Sequence, residues 1–387
     1  MLSSLKALGV VAVLLAQVTL IARGGVPDAP LVDAAARQDW QRVQSLLDEG
    51  TDVNAPRADG VTALLWAAHW DDLKTVETLL EAGANPNASD DHGVTPLMRA
   101  CENASINVVR ALLAAAADAN AAQTSGLTPL MIAAGTGSRE VVRALLERGA
   151  DVNGVTETSG VTALMWATEA SSLDIAHVLV ESGADVSVAA TKGFTPLLLA
   201  TRNGDIELAT LLIAAGADVN QSGSDGAHPL PFAIVSSQDA FALFLLEQGA
   251  DPSGTLDGVP ALHAAAGNVS VWLGEWYRGH GGSRVVDAGG RGIRGLTPER
   301  RLPLVEALLA RGADPNGRIT ASGVLIRAGE PHLGIFNQQA VGTGHVQGAT
   351  PLWVAAYSMN GGGLFGADAK YQYDSNVAIL QTLLAAG

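Results

Sequence analysis

One block of residues returns down this chain at a nearly constant interval. Gly-x-Thr-Pro/Ala-Leu stands at 60–64, 93–97, 126–130, 160–164 and 193–197. A second block, Leu-Leu-x-x-Gly-Ala-Asp-x-Asn, follows each copy and is complete at 145–153. The glycines that close it fall at 50, 83, 149, 183, 216, 249, 312 and 387, with Ala116 where another is due. The early interval is 33 or 34 residues. A fixed period of this size is the mark of a solenoid, in which one unit cannot bury its apolar face alone and neighbours bury it between them.

Each block supports a helix. Thr128 is placed to cap the helix that follows, with Pro129 in its first turn, where a missing N–H costs nothing. Leu130, Ala133 and Ala134 share one helical face, and Val141, Val142, Leu145 and Leu146 have core spacing on a second helix. Gly149 suits the left-handed residue that ends a helix. Asp151 and Asn153 suit the turn leading out. The aspartates at 118, 151, 185, 218, 251 and 314 recur for the same reason and are read as turn residues, not paired catalytic carboxylates.

This unit resembles the ankyrin repeat over roughly residues 30–387. The resemblance implies an all-α, ankyrin-type helical repeat solenoid with a β-turn and an antiparallel helix pair per unit. About nine units are expected within a repeat domain over 25–387. The 30–54 unit lacks the threonine block and reads as an N-terminal cap. The pattern departs at Ala116, which should carry a conformational penalty, and at His228 and Pro260, which replace the capping threonine.

Family members typically bind proteins through the turn tips and first helices. On this chain the first helices carry a row of residues on the side away from the core. Trp66, Arg99, Ile132, Trp166, Leu199 and Phe232 occupy one repeated position, and Trp70 lies one turn beyond Trp66. Two readings stand: an exposed stripe that contacts a partner, or side chains packed between neighbouring helices.

Insertions interrupt the later units near 269–299, 322–347 and 358–374. The first holds Trp272, Trp276, Tyr277 and His280 among many glycines. Six arginines lie between 270 and 301 against Glu275, Asp287 and Glu299. It reads either as an aromatic, basic contact patch or as an ordered loop paired with the acidic solenoid. Gly290-Arg291-Gly292-Ile293-Arg294-Gly295 matches a dinucleotide fingerprint, but no βαβ unit surrounds it. The glycines are better read as letting the loop turn. The second insertion carries Glu330, His332, Phe336 and His345 without metal-ligand spacing.

Lys6 precedes an apolar run over 7–22, and Ala22-Arg23-Gly24 could be cleaved. Residues 1–24 read as a signal peptide, with an uncleaved N-terminal anchor as the alternative. The run is short for a spanning helix, and no later apolar run suggests a membrane span. The chain carries 23 basic and 39 acidic residues, net −16, or −18 without Lys6 and Arg23. This balance disfavours nucleic acid as a partner. Cys101, the one cysteine, reads as a small buried hydrophobe. No catalytic constellation, metal site or cofactor motif is found.

The expectation is therefore a monomeric, exported, periplasmic or secreted scaffold that binds a protein partner through its concave groove and turn tips, without catalysis. The alternative is an interaction or spacer segment of a larger protein, because no Ala-Asp-x-Asn and no polar capping repeat follow Gly387.

Overall fold

The computed structural model describes residues 29–267, 269, 296–320, 347–360 and 367–387. The chain divides into two compact units that meet in sequence at Thr191 and Lys192. The signal-peptide reading, Trp272, Trp276, Tyr277, the 290–295 glycines and most of the 322–347 insertion lie outside the described residues.

The first unit is five helix pairs: α1 (Pro30–Ala36) with α2 (Trp40–Asp48), α3 (Ala63–His69) with α4 (Leu73–Glu81), α5 (Pro96–Glu102) with α6 (Ile106–Ala114), α7 (Pro129–Thr136) with α8 (Arg139–Glu147), and α9 (Ala163–Glu169) with α10 (Leu173–Glu181). First helices pack on first helices of the next pair and, from α4 onward, second on second. Thr62, Thr95, Thr128 and Thr162 are the N-caps of α3, α5, α7 and α9. Each hydroxyl accepts the N–H three residues on, at 3.2–3.4 Å. Such a cap contributes about 1 kcal/mol. Leu130, Ala133 and Ala134 are buried as the spacing predicts, as are Val141, Val142 and Leu145; Leu146 is half-buried.

Two ladders run between successive repeats. At the tips, the N–H of Asp91, Thr124, Glu157 and Thr191 reach the carbonyls of Asp59, His92, Ser125 and Ser159 at 2.9–3.3 Å. At the opposite end, an asparagine amide spans each junction. Asn120 Nδ2 donates to the Gly149 carbonyl at 2.9 Å, and its Oδ1 accepts the Asp151 N–H at 2.7 Å. Asn54, Asn87 and Asn153 do the same toward Gly83 and Asn85, Ala116 and Asp118, and Gly183 and Asp185. Ala116 keeps the geometry of the glycine it replaces, at φ +63°. Its carbonyl must face Asn87, so the chain accepts a left-handed alanine.

The second unit comprises α11 (Pro196–Asn203) with α12 (Ile206–Ala214), α13 (Pro229–Val235) with α14 (Asp239–Glu247), α15 (Ala261–Ala266) with α16 (Pro298–Ala310), and α17 (Pro351–Asn360) with α18 (Ala367–Ala386). One tip is a small antiparallel hairpin, β1 (Thr255–Leu256) with β2 (Val259–Pro260). The insertion expected over 358–374 is largely helix: α17 extends to Asn360 and α18 begins at Ala367, which leaves 361–366 outside the described residues. Neither His228 nor Pro260 caps its helix with a side chain. His228 instead holds the neighbouring tip, its Nδ1 3.0 Å from the Thr255 carbonyl and 3.3 Å from the Thr255 nitrogen.

Candidate partner-binding surface

In the first unit the expected row resolves into unequal members. Trp66, Arg99, Ile132 and Trp166 are half-buried, and Trp70 is 40% exposed. Trp66 packs against a cluster of Ala29, Val32, Val61 and Leu65. Its outer face is stacked on Trp70, with centroids 6.1 Å apart and planes 18° from parallel. His69 meets both indoles edge-on. Burial, and then the nearby Arg99 guanidinium, hold the His69 imidazole below its ordinary range. Arg99 is tied to Glu102 at 2.8 Å. Trp166 lies over Gly135, where a Cβ would stand 3.3 Å from its ring. The indole N–H groups of Trp66 and Trp166 are buried without an acceptor among the described residues. The row packs between helices along one side and leaves an aromatic edge at Trp70.

The second unit corrects the row. Leu199 and Phe232 are 8% and 2% exposed, so they are core residues and offer no stripe. Phe232 is covered by Phe194, edge to face at 6.0 Å. The depression lined by Phe194, Leu198, Asp225 and Phe232 is too shallow to hold a water molecule.

What the motif did not reveal in the second unit is a pair of buried polar side chains. Arg301, on α16, is 6% exposed. It donates to the Ala266 carbonyl at the end of α15 and to Asn376 Oδ1 on α18, each at 3.2 Å. Burial pulls its guanidinium down to about 10. His263, 1% exposed, lies 3.0 Å through Nε2 from the Ala349 carbonyl, so that nitrogen carries the proton. Burial pulls this imidazole down to about 4. A buried cation fixed by carbonyl-type oxygens serves as a helix-end clamp.

Among the described residues no group of three His, Cys, Asp or Glu is placed to hold a metal. Cys101 is buried, and that burial pushes its thiol up, away from the reactive thiolate. The turn aspartates are engaged by the backbone two residues on, as at Asn120, Asn153 and Asn316. No helix among the described residues is long and apolar enough to cross a membrane.

Comparison with known proteins agrees with this architecture. The family described as ankyrin repeats (3 copies) matches residues 31–123, 116–190 and 186–255. The human ASB11 ankyrin repeat domain is 29% identical, with a TM-score of 0.51, over 58% of this chain and 99% of that one. The ankyrin repeat domain of Bcl-3, a member of the IkappaB family, is 31% identical, with a TM-score of 0.50, over 57% of this chain and 99% of that one. No curated protein counts as a match. Ankyrin repeats are generally protein–protein interaction modules, and their members are typically non-catalytic. The period, the capping threonines, the asparagine ladder and these matches agree, and the chain belongs to the ankyrin-repeat family.

Proposed function

We propose that this chain is a non-catalytic scaffold that binds a protein partner through the first-helix face and turn tips of its first unit. The observation that carries the reading is the Trp66–Trp70 stack, whose outer indole stays 40% exposed beside a half-buried row. Exposed tryptophan is costly to hydrate and is enriched where proteins bind. The chain acts as a monomer, exported through residues 1–24. A segment of a larger protein remains the second reading, and determining the reading frame past Gly387 decides between them.

The test is a photo-crosslinking residue at position 70 in the native host, followed by mass spectrometry of the adducts. A recurrent protein adduct, lost when the probe is moved to the solvent face of α2 at position 44, is the expected result. Equal adduct patterns at both positions would sink the assignment.

A further inference from the structure

The chemistry of the partner follows from where the charge lies. Between residues 29 and 191 stand 22 acidic and 9 basic residues, whereas 192–387 carry 16 and 12. The first unit therefore holds most of the chain's negative charge. Two of its tips carry Asp59, Asp90 and Asp91, with the Asp91 N–H bonded to the Asp59 carbonyl, and the exposed Asp71 directly follows Trp70. Of the cations near this face, Arg57 is paired with Asp33 at 3.8 Å and Arg99 with Glu102. The field over the aromatic edge is thus set by carboxylates.

We infer that the occupant of the Trp66–Trp70 edge is a basic polypeptide segment that lays an arginine side chain on the outer face of Trp70. This rests on the binding reading above. One face of Trp70 is turned to Trp66, and the exposed remainder of the ring is a π surface at the end of α3, where the exposed Asp71 follows it in a unit of net negative charge. A guanidinium suits both, because its plane stacks on indole and its charge answers the carboxylates. A lysine can meet the carboxylates but stacks less well. Nucleic acid is repelled by the same field.

The full chain is titrated with three labelled peptides that share one leucine pattern and carry arginine, lysine or glutamate at the remaining positions. Binding is read by fluorescence anisotropy at about 50 mM and about 300 mM salt, which brackets strong and weak screening. The arginine peptide is expected to bind, then lysine, and the glutamate peptide not at all. Trp70→Ala should weaken the arginine peptide about tenfold and abolish its preference over lysine, with helicity retained by circular dichroism. Asp71→Asn, which leaves the indoles intact and removes the carboxylate next to Trp70, should weaken both cationic peptides and flatten the salt dependence. Glutamate binding equal to arginine overturns the inference, as does arginine binding that ignores both variants. An acidic or neutral protein crosslinked at position 70 would overturn it too, while leaving the scaffold reading intact.

Discussion

The two units are built from one motif but held together differently. In the first, a bidentate asparagine spans every junction, and threonine caps and tip-to-tip backbone bonds, also carried by the motif, recur from α3 onward. In the second, the threonine is lost at His228 and Pro260, and an asparagine is lost at Ser253, whose hydroxyl turns back to its own Asp251 at 2.7 Å. The unit keeps the Thr195 and Thr350 caps and the Asn220 bridge to Gly249 and Asp251, and where the motif residues are lost it adds a side chain the motif does not specify, the Arg301 clamp between α15 and α18. When a repeat loses its own short-range bonds, a buried polar side chain from outside the motif can restore the junction, at a desolvation cost.

The comparison is broken most sharply at Arg301. Arg301→Ala leaves the Ala266 carbonyl and Asn376 without their donor and opens a void. It should destabilise the second unit by roughly 2–4 kcal/mol. Arg301→Met, which fills the space without charge, should cost less. Hydrogen exchange resolved by segment should show loss of protection confined to the second unit; equal loss in both units would show that Arg301 is no local clamp.

Next in size is the ladder. Asn120→Ala removes two bonds across one junction and should cost about 1–3 kcal/mol, whereas Ser253→Ala should lie within about 0.5 kcal/mol of the parent. Denaturant titration of both variants checks this, and similar losses would erase the distinction drawn between the units.

A smaller gain is expected from Ala116→Gly. The residue sits at φ +63°, and glycine adopts that conformation without the Cβ penalty. Stability should rise by about 1 kcal/mol. A loss would mean that Ala116 contributes packing rather than strain.

The smallest effect is electrostatic. The Ser187 and Ser253 hydroxyls, and then their backbone N–H groups, hold the Asp185 and Asp251 carboxyls below the ordinary range. A depressed folded-state value means that this stabilisation is present above the unfolded carboxylate pKa and is lost as pH falls through the folded one. Ser253→Ala should move the Asp251 titration upward, measured by carboxyl NMR, with Asp185 unchanged as the internal reference.

Much of the architecture was legible in the residues. The period placed the helices, threonine and proline marked their starts, and the Leu, Ala and Val pattern named the core. The inner turns were less legible. The residue before each second-helix N-cap is left-handed at Gln38, Asp71, Ala104, Gly137, Ser171, Gly204 and Ser237, and only two of these are glycine. Closure of the helix pair imposes that conformation whatever residue stands there. The aspartates were read correctly because their bonds are local. The asparagines were read only as turn residues, because their second partners lie 29–32 residues away.

The candidate surface divides in the same way. One repeated position gave Trp66, Arg99, Ile132, Trp166, Leu199 and Phe232 as equivalents, yet only those in the first unit retain partial exposure. Periodicity assigns a side chain to a face, but its exposure depends on what neighbouring segments place over it, as Phe194 does over Phe232. The sequence by itself determined the repeat, its caps, its core and its negative charge, since these depend on residues within one period. Tertiary structure alone decided which tryptophan stays exposed, which arginine is buried and which asparagine spans a junction, because each depends on contacts made one or more repeats away.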